Sequence, residues 1–308
     1  MATLYTQASR NKAKSMLYLA LFIGLIGALG WFASYYFNNP AILIFAVLFS
    51  IGMSFTSYWF SDSIALGVAG AHQIEKKDNP YVYRMVENLA ITAGLPMPRV
   101  YVIDDPAPNA FATGRDPKHA AVAVTNGIVE KLNNEELEGV IAHELSHIGN
   151  YDTRLMTIVV VLVGIVTLLA DFFIRWSFWG GGGRDRDSGQ LGLILFIAGF
   201  VLLLLSPVFA TLIQLAISRK REFAADADGA LLTRYPDGLA SALEKIQADS
   251  APLRSANKAT AHLYIANPFK DVDKDGDGKS DGRSWFSGLF DTHPPIEKRV
   301  AALRQLSV

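Results

Sequence analysis

The segment His143-Glu144-Leu-Ser-His147 combines the residue types of a metal-dependent hydrolase. Residues four apart on a helix project from one face, so both imidazoles can bind one zinc ion at about 2.0–2.1 Å. Glu144 lies beside them and can act as a general base toward water at that ion. The alternative is a chance pattern on a solvated helix face, which arises in about one of a hundred such chains. The spacing therefore predicts a zinc hydrolase.

A zinc site of this kind needs a third protein ligand and an open position. One class of zinc proteases uses a histidine six residues after the second histidine, but that position is Thr153. Glu222 is the first acidic residue after a later apolar run, about as far from that run as His147 is from an earlier one. We therefore predict Glu222 as the third ligand. Asp226, one helical turn later, is predicted to accept a hydrogen bond from the far nitrogen of a zinc-binding histidine.

Another role for Glu222 and another third ligand remain open at this point. In its basic surroundings Glu222 could instead form an ion pair with Arg219 or Arg221, and His262 could then be the ligand. His262 lies in a stretch typical of a partly buried helix. The histidines expected at the surface are His72 and His119.

The helix that would carry the two histidines has a recognisable start. Asn133 is followed three residues later by Glu136, which is a plausible helix-capping signal. The apolar positions that follow recur at helical spacing and predict a helix through Ile148. Gly139, one turn before the first histidine, would leave room for a close neighbour.

The remaining elements of the soluble part are predicted from periodicity and turn residues. A helix is predicted over residues 80–93 and strands over 99–103 and 120–125. The second strand is expected to end in a turn at Asn126-Gly127. The loop between the strands includes a possible short edge strand over 110–113.

Four apolar runs are long enough to cross a bilayer, which takes about 20 helical residues. They cover residues 16–37, 41–60, 155–176 and 191–217. Because only 51% of the 308 residues are hydrophobic, the chain also retains enough polar sequence for one soluble domain. The expected fold is a mainly α membrane protein with four transmembrane helices. They would carry a discontinuous cytoplasmic α+β protease domain with a small sheet. This domain would be of the gluzincin type, in which two His and one Glu bind zinc.

Basic residues flank the apolar runs asymmetrically. The first run is preceded by Arg10, Lys12 and Lys14, and the last is followed by Arg219, Lys220 and Arg221. The positive-inside rule then places both termini in the cytoplasm. The predicted divisions are a transmembrane hairpin (1–60), the first part of the catalytic domain (61–154), a second transmembrane hairpin (155–217) and the second catalytic part (218–308).

Composition excludes other classes of site. The formal net charge of -1 gives no reason to expect a nucleic-acid partner. The chain has no cysteine, so neither a disulfide nor a thiolate metal site can form.

The chain resembles the HtpX-type membrane zinc metalloproteases, which share a family with the Ste24 CAAX proteases. The resemblance extends over nearly the whole chain. It rests on Pro-Asn109-Ala-Phe-Ala-Thr-Gly114, His143-Glu144-Leu-Ser-His147, Ser218-Arg-Lys-Arg-Glu222-Phe-Ala-Ala-Asp226 and Thr292-His293-Pro-Pro-Ile-Glu-Lys-Arg299. It implies one Zn²⁺ held by His143, His147 and Glu222, in a protein of the bacterial cytoplasmic (inner) membrane. It also implies cleavage of misfolded or damaged membrane proteins, or of unfolded polypeptides, in quality control.

The resemblance also implies roles that spacing does not supply. Asn109 would hold the substrate backbone, with Ala110 and Phe111 on the same substrate-binding edge. His293, together with Arg299, would stabilise the oxyanion formed during attack. Without the resemblance, His293 before two prolines indicates only a surface histidine at a helix start.

One stretch, residues 271–282, departs from the family pattern. Its acidic positions match the start of a calcium-binding loop, but the expected glutamate at the twelfth position is Ser284. A flexible acidic surface loop is the favoured interpretation, with Ca²⁺ binding as the alternative. The candidate ligands are Asp273, Asp275, Asp277 and Asp281.

The sequence thus predicts a zinc metalloendopeptidase bound to the lipid bilayer. An intramembrane protease is disfavoured, because residues 133–138 are too polar for a transmembrane helix. A non-catalytic zinc or calcium scaffold is disfavoured by Glu144, which such a scaffold would not require.

Overall fold

The computed structural model describes residues 4–179, 197, 199, 201, 202, 219–249, 251, 253, 254, 261–266 and 294–306. In chain order its elements are α1 (Leu4–Tyr36), α2 (Pro40–Val68), β1 (Ala71–Gln73), α3 (Pro80–Thr92), β2 (Arg99–Ile103), β3 (Ala110–Gly114), β4 (Ala120–Thr125), α4 (Asn126–Lys131), α5 (Asn134–Gly149), α6 (Asp152–Trp179), α7 (Arg219–Thr233), α8 (Pro236–Ala248) and α9 (Ile296–Leu303). Short 3₁₀ helices lie at Pro117–His119 and Ala261–Leu263. The described part is mainly helical with one small sheet, as predicted.

Three helices are long and apolar enough to cross a membrane. The apolar stretches lie within α1, α2 and α6 and cover Ser9–Tyr36, Pro40–Val68 and Asp152–Arg175. Their most apolar 18-residue windows have mean hydropathies of 2.1, 1.9 and 2.7. They correspond to the first three predicted spans. The fourth predicted span, 191–217, falls almost entirely outside the described residues. Leu202, one of its four described positions, is buried against α1 and α6.

The helix α2 continues beyond its predicted span as far as Val68. Ala65 and Leu66 in this extension are buried with Ile103 of β2 and Phe111 of β3. The extension therefore ties the apolar hairpin directly to the sheet.

The sheet has four strands in the order β1-β2-β4-β3. β2 and β4 run parallel, with Val100 opposite Val122, and β3 joins β4 antiparallel, with Ala112 opposite Val122. The strands predicted over 99–103 and 120–125 are confirmed, as is the edge strand, which extends to Gly114. This arrangement places β3 at an edge of the sheet, where it contacts the helix α5.

The Asn126-Gly127 turn prediction is wrong, because these residues begin the helix α4. Thr125 ends the strand and caps this helix, its hydroxyl accepting a hydrogen bond from the Ile128 amide at 3.2 Å. Gly127 is needed here for close packing, since a Cβ atom would lie 2.1 Å from the Pro106 carbonyl oxygen.

The helix α5 starts with the predicted capping box. The Asn133 side chain accepts a hydrogen bond from the Glu136 amide, and the Glu136 carboxylate accepts one from the Asn133 amide. Leu137, Ile141 and Leu145 on this helix are fully buried in the main core between the sheet and the helices α7 and α8. The helix is therefore a central element of the soluble part.

Gly139 permits the close approach of α5 and α8. A Cβ atom at Gly139 would lie 2.7 Å from the backbone nitrogen of Leu239 and 2.9 Å from its Cα. Because these are backbone atoms, no side-chain movement can relieve the contact. The space expected from the sequence is thus filled by a neighbouring helix.

Gly139→Ala is expected to destabilise the protein by about 1–3 kcal/mol through this clash. The matched control is Gly149→Ala on the same helix, where a Cβ atom would meet only the Leu95 side chain at 3.7 Å. Thermal unfolding of both full-length variants in detergent measures the difference. An unchanged melting temperature for Gly139→Ala would contradict the packing described.

Candidate metal centre and active site

Both histidines of the motif lie on the buried side of α5. His143 is 1% and His147 is 4% exposed, and their Nε2 atoms are 3.2 Å apart. Their rings are nearly perpendicular, with centroids 4.7 Å apart. The two Nε2 atoms thus converge, as their spacing on the helix predicts.

Glu222 of α7 completes a group of possible metal ligands. Its carboxylate oxygens lie 3.4 Å from His147 Nε2 and 3.9 Å from His143 Nε2. Ligands about 2.0–2.1 Å from a tetrahedral zinc ion lie about 3.3 Å from one another, so these three side chains fit one such ion. Within the part of the chain that the structure describes, they are the one group able to hold a metal ion. His262 is buried in the short 3₁₀ helix and is not part of this group.

Asp226 orients the first histidine. One of its carboxylate oxygens lies 2.9 Å from His143 Nδ1, the nitrogen that faces away from Glu222. The guanidinium of Arg299 binds both oxygens of Asp226, with Nη2 and Nε at 2.6 and 2.9 Å. Although burial favours the neutral acid, Arg299 and His143 lower the pKa of Asp226 to about 2. Asp226 is thus a fixed carboxylate that keeps the Nδ1 proton on His143 and leaves Nε2 free for a metal.

The resemblance assigns Arg299 to substrate, but its observed contacts are with the protein. It is completely buried in α9, and besides Asp226 it donates to the Ile265 carbonyl at 3.1 Å. Its Nη1 atom lies 3.8 Å from Glu222. Arg299 therefore compensates the charge of the two carboxylates beneath the histidines.

The second histidine has a carboxylate partner that sequence reasoning missed. His147 Nδ1 lies 3.1 Å from Asp152 Oδ2. Asp152 is five residues after His147, a separation that a continuous helix does not place on the same face. The only sequence signal for this contact was an acidic residue shortly after the His143–His147 motif.

Glu144 faces the same small cavity as the histidines. It is 2% exposed, and the Ala112 amide on the edge strand β3 favours its ionised form. The cavity also touches Ile265 and has a volume of about 10 Å³, which is room for about one water molecule. Burial raises the pKa of Glu144 to about 7, with the neighbouring Glu222 adding to the effect. This value applies to the site without a metal ion, and a bound cation would lower the pKa of Glu144.

The two histidines differ in their affinity for protons. Burial lowers the pKa of His143 to about 4, so its ring is neutral at pH 7. Burial also opposes the charge on His147, but hydrogen bonds to Asp152 and Glu222 prevail and raise its pKa well above 6.5. A metal ion that binds His147 Nε2 would therefore have to displace a proton from this ring.

Metal affinity is accordingly expected to increase with pH. Below the raised pKa of His147 at least one proton leaves for each ion bound, so the zinc association constant should rise by at least about tenfold per pH unit. Above that pKa this dependence should vanish. Chelator competition from about pH 5.5 to about pH 8 measures the slope. A constant affinity over this range would show that His147 binds no displaceable proton.

Asn109 was predicted to hold the substrate backbone, and in the structure its side chain binds the backbone of Ala266 in the same chain. Its amide nitrogen donates to the Ala266 carbonyl at 3.1 Å, and its amide oxygen accepts from the Ala266 nitrogen at 3.4 Å. The adjacent Ala110 carbonyl accepts a hydrogen bond from the Ile265 amide at 2.9 Å. Residues 265 and 266 thus pair with the beginning of the outer edge of β3.

The other predicted substrate-binding positions are also buried. Ala110 is 0% and Phe111 is 1% exposed. The Phe111 ring packs edge-on against Tyr264, with ring centroids 5.1 Å apart. Any contribution of these two residues to substrate binding is therefore through their backbone groups.

Two predictions lie outside the described residues. They are the role of His293 and the calcium alternative at Asp273, Asp275, Asp277 and Asp281. His72 and His119 are exposed, as expected.

Comparisons with known proteins identify the family of the chain. The model of Peptidase family M48 matches residues 76–307. The chain is 45% identical over 304 residues to "Protease HtpX homolog" of Tropheryma whipplei strain TW08/27, covering 98% of both chains. It is 44% identical over 309 residues to the protein of the same name from Caldanaerobacter subterraneus subsp. tengcongensis, covering 99% of both.

A solved structure, described as the crystal structure of S. mikatae Ste24p, is similar with a TM-score of 0.49 and 18% sequence identity. The match covers 96% of this chain and 66% of that one. The family match covers most of the chain, and it includes the two histidines, Glu144 and Glu222. The protein therefore belongs to peptidase family M48 and is a membrane metallopeptidase, similar along its whole length to the HtpX proteases.

Proposed function

We propose that this protein is a zinc-dependent endopeptidase of the bacterial cytoplasmic membrane that cleaves misfolded or damaged membrane proteins at the cytoplasmic face. The observation that carries the proposal is the buried group of His143, His147 and Glu222 beside Glu144. The apolar helix α6 begins only five residues after His147. A site so close to a membrane helix suits substrates that are themselves held in the bilayer.

The proposed topology has four spans, the last over residues 191–217, with both termini in the cytoplasm. Its support is the asymmetry of charge, with basic residues before α1 and after the fourth apolar run. Residues 61–154 and 218–308 would then form one catalytic domain on the cytoplasmic side.

In the proposed reaction each residue has a defined task. His143, His147 and Glu222 would hold Zn²⁺, which would supply a Lewis acid for the scissile carbonyl and would lower the pKa of the attacking water. Positive charge at this position also favours the ionised form of Glu144. Glu144 then takes a proton from water and delivers it to the leaving nitrogen. By resemblance, His293 would donate a hydrogen bond to the oxyanion. Arg299 binds the Asp226 carboxylate and thereby holds it against His143.

Substrate is proposed to bind as an extended strand along β3. The backbone hydrogen bond from Ile265 to Ala110 is of the kind that main-chain pairing with a peptide would make, and the Asn109 side chain binds the next peptide unit, at Ala266. Main-chain pairing is tolerant of sequence, which suits a quality-control protease. Substrate binding at this end of the edge requires the contacts with residues 265 and 266 to open.

The proposal is tested with the full-length protein in inverted membrane vesicles, which expose the cytoplasmic face. A membrane protein carrying a destabilising substitution is offered beside its stable parent. Cleavage of the destabilised form should be lost with a chelator and restored by zinc. Mass spectrometry should place the cuts in cytoplasmic loops. Cleavage that resists the chelator, or cuts confined to the opposite side, would refute the proposal.

The intramembrane alternative is not favoured by the helix α5. It carries Glu135 and Glu136 in its first turn and lies outside the three apolar spans of the described chain. The proposed site is therefore next to the membrane and not within it.

A further inference from the structure

Asp152, the carboxylate behind His147, is itself held by two other parts of the chain. Its Oδ2 faces His147 Nδ1 at 3.1 Å. Its Oδ1 accepts hydrogen bonds from Asn11 Nδ2 at 2.8 Å and from Arg221 Nη1 at 2.6 Å. Arg221 Nη1 also donates to Asn11 Oδ1 at 2.9 Å. Each oxygen of Asp152 thus has its own donors.

The local chain path makes these contacts possible. The helix α5 ends at Gly149, and Tyr151 adopts a left-handed conformation with φ of 59°. This turn redirects the backbone, so that Asp152 begins the helix α6 directly behind His147. Asn11 also donates to the Asn150 carbonyl at 3.2 Å, which fastens α1 to the same turn.

The contacts bring the membrane anchor to the metal site. Asn11 lies on the first apolar helix, 141 positions from Asp152 in sequence, and is 4% exposed. It stands outside residues 76–307, the range matched by the family model. A fragment restricted to that range would lack one of the donors that hold Asp152.

We propose that Asp152 is a positioning residue for His147 and that Asn11 of α1 and Arg221 of α7 fix the carboxylate in the orientation it needs. The inference rests on the proposed zinc site. A ligand histidine whose Nδ1 donates to a carboxylate keeps the tautomer with a free Nε2, and such partners strengthen metal binding. The first membrane helix is thereby a structural component of the metal centre.

The arrangement makes an unusual prediction for Asp152→Asn. Two donors, one of them charged, converge on Oδ1, so the amide oxygen of an asparagine is required at that position. The amide NH₂ would then face His147 Nδ1 and favour the tautomer with a proton on Nε2, which cannot bind metal. A residue that only fills space would tolerate this replacement of nearly identical shape.

The experiment compares full-length wild type with Asp152→Asn, Asp152→Ala and Asn11→Ala in detergent. Lys12→Ala is the matched control, an exposed neighbour of Asn11 on the same helix. Zinc affinity is measured by chelator competition, and the melting temperature of each metal-free variant reports folding separately. The absorption spectrum of the Co²⁺-loaded form reports the geometry around the ion.

Both Asp152 variants should bind zinc about 10- to 100-fold more weakly than wild type, with asparagine no better than alanine. Asn11→Ala, which leaves Arg221 in place, should cost about 3- to 10-fold. The Co²⁺ spectrum should change in the Asp152 variants, whereas Lys12→Ala should match wild type in every measurement. If Asp152→Ala fails to fold, the asparagine and Asn11 variants carry the test.

Failure of the inference can be separated from failure of the proposed function. A wild type that binds no zinc overturns the proposed function, and the inference with it. If the wild type binds zinc and the zinc affinity of Asp152→Asn is within about twofold of the wild-type value, only the positioning role is overturned. An unaltered affinity in Asn11→Ala overturns the contribution of the first membrane helix.

Discussion

Glu144→Gln is expected to lower kcat/KM for peptide hydrolysis by about 100- to 10,000-fold while leaving zinc binding intact. Glutamine has nearly the same shape and can occupy the same place beside the Ala112 amide. It cannot take a proton from the attacking water. Because Glu144 is not one of the three predicted metal ligands, the loss should appear in catalysis and not in metal content.

The measurement pairs turnover of a model peptide with metal analysis of the same preparation. Glu135→Gln is the matched control, since Glu135 is an exposed glutamate on the same helix. It should retain wild-type activity. If Glu144→Gln kept more than about a tenth of the activity, another group would have to be the base.

Glu222→Ala is expected to abolish activity by removing a metal ligand. Loss of a hydrogen-bond partner of a ligand costs about 10- to 100-fold in affinity, and loss of the ligand itself should cost more. The two histidines would remain as a two-coordinate site, below the three protein ligands that catalytic zinc sites have. Purified Glu222→Ala should therefore contain little zinc.

Metal content and activity in detergent test this prediction, with Glu244→Ala as the control. Glu244 forms an exposed ion pair with Arg304, and such pairs contribute about 0–1 kcal/mol. The melting temperature of metal-free Glu222→Ala shows whether the fold persists. Full zinc occupancy in this variant would reassign the third ligand.

Local features of the fold were predictable because their causes are local. The capping pair of Asn133 and Glu136 and the four-residue spacing of the histidines depend only on helix geometry. The turn predicted at Asn126-Gly127 failed for one tertiary and one local reason. Packing of Gly127 against the Pro106 carbonyl and capping by Thr125 favour a helix where the dipeptide alone indicates a turn.

The contacts around the proposed metal ligands were harder to predict. Asp226 was anticipated because it stands one turn from Glu222 on the same helix. Asp152 was missed, since its contact with His147 depends on the left-handed conformation of Tyr151, which is rare for a residue of its type. The contact of Arg299 with Asp226 joins helices 73 positions apart in sequence, and no spacing rule reaches that far.

The sequence by itself determined the two histidines with Glu144 beside them, three of the four strands and the three apolar helices of the described residues. Each follows from the period of a single helix or strand. Only the tertiary structure decided that Arg299 supports Asp226, that Asp152 stands behind His147 and that Asn11 reaches the same carboxylate. The physical reason is that these contacts depend on how separate helices pack, and the packing is set by the whole core and not by any one segment.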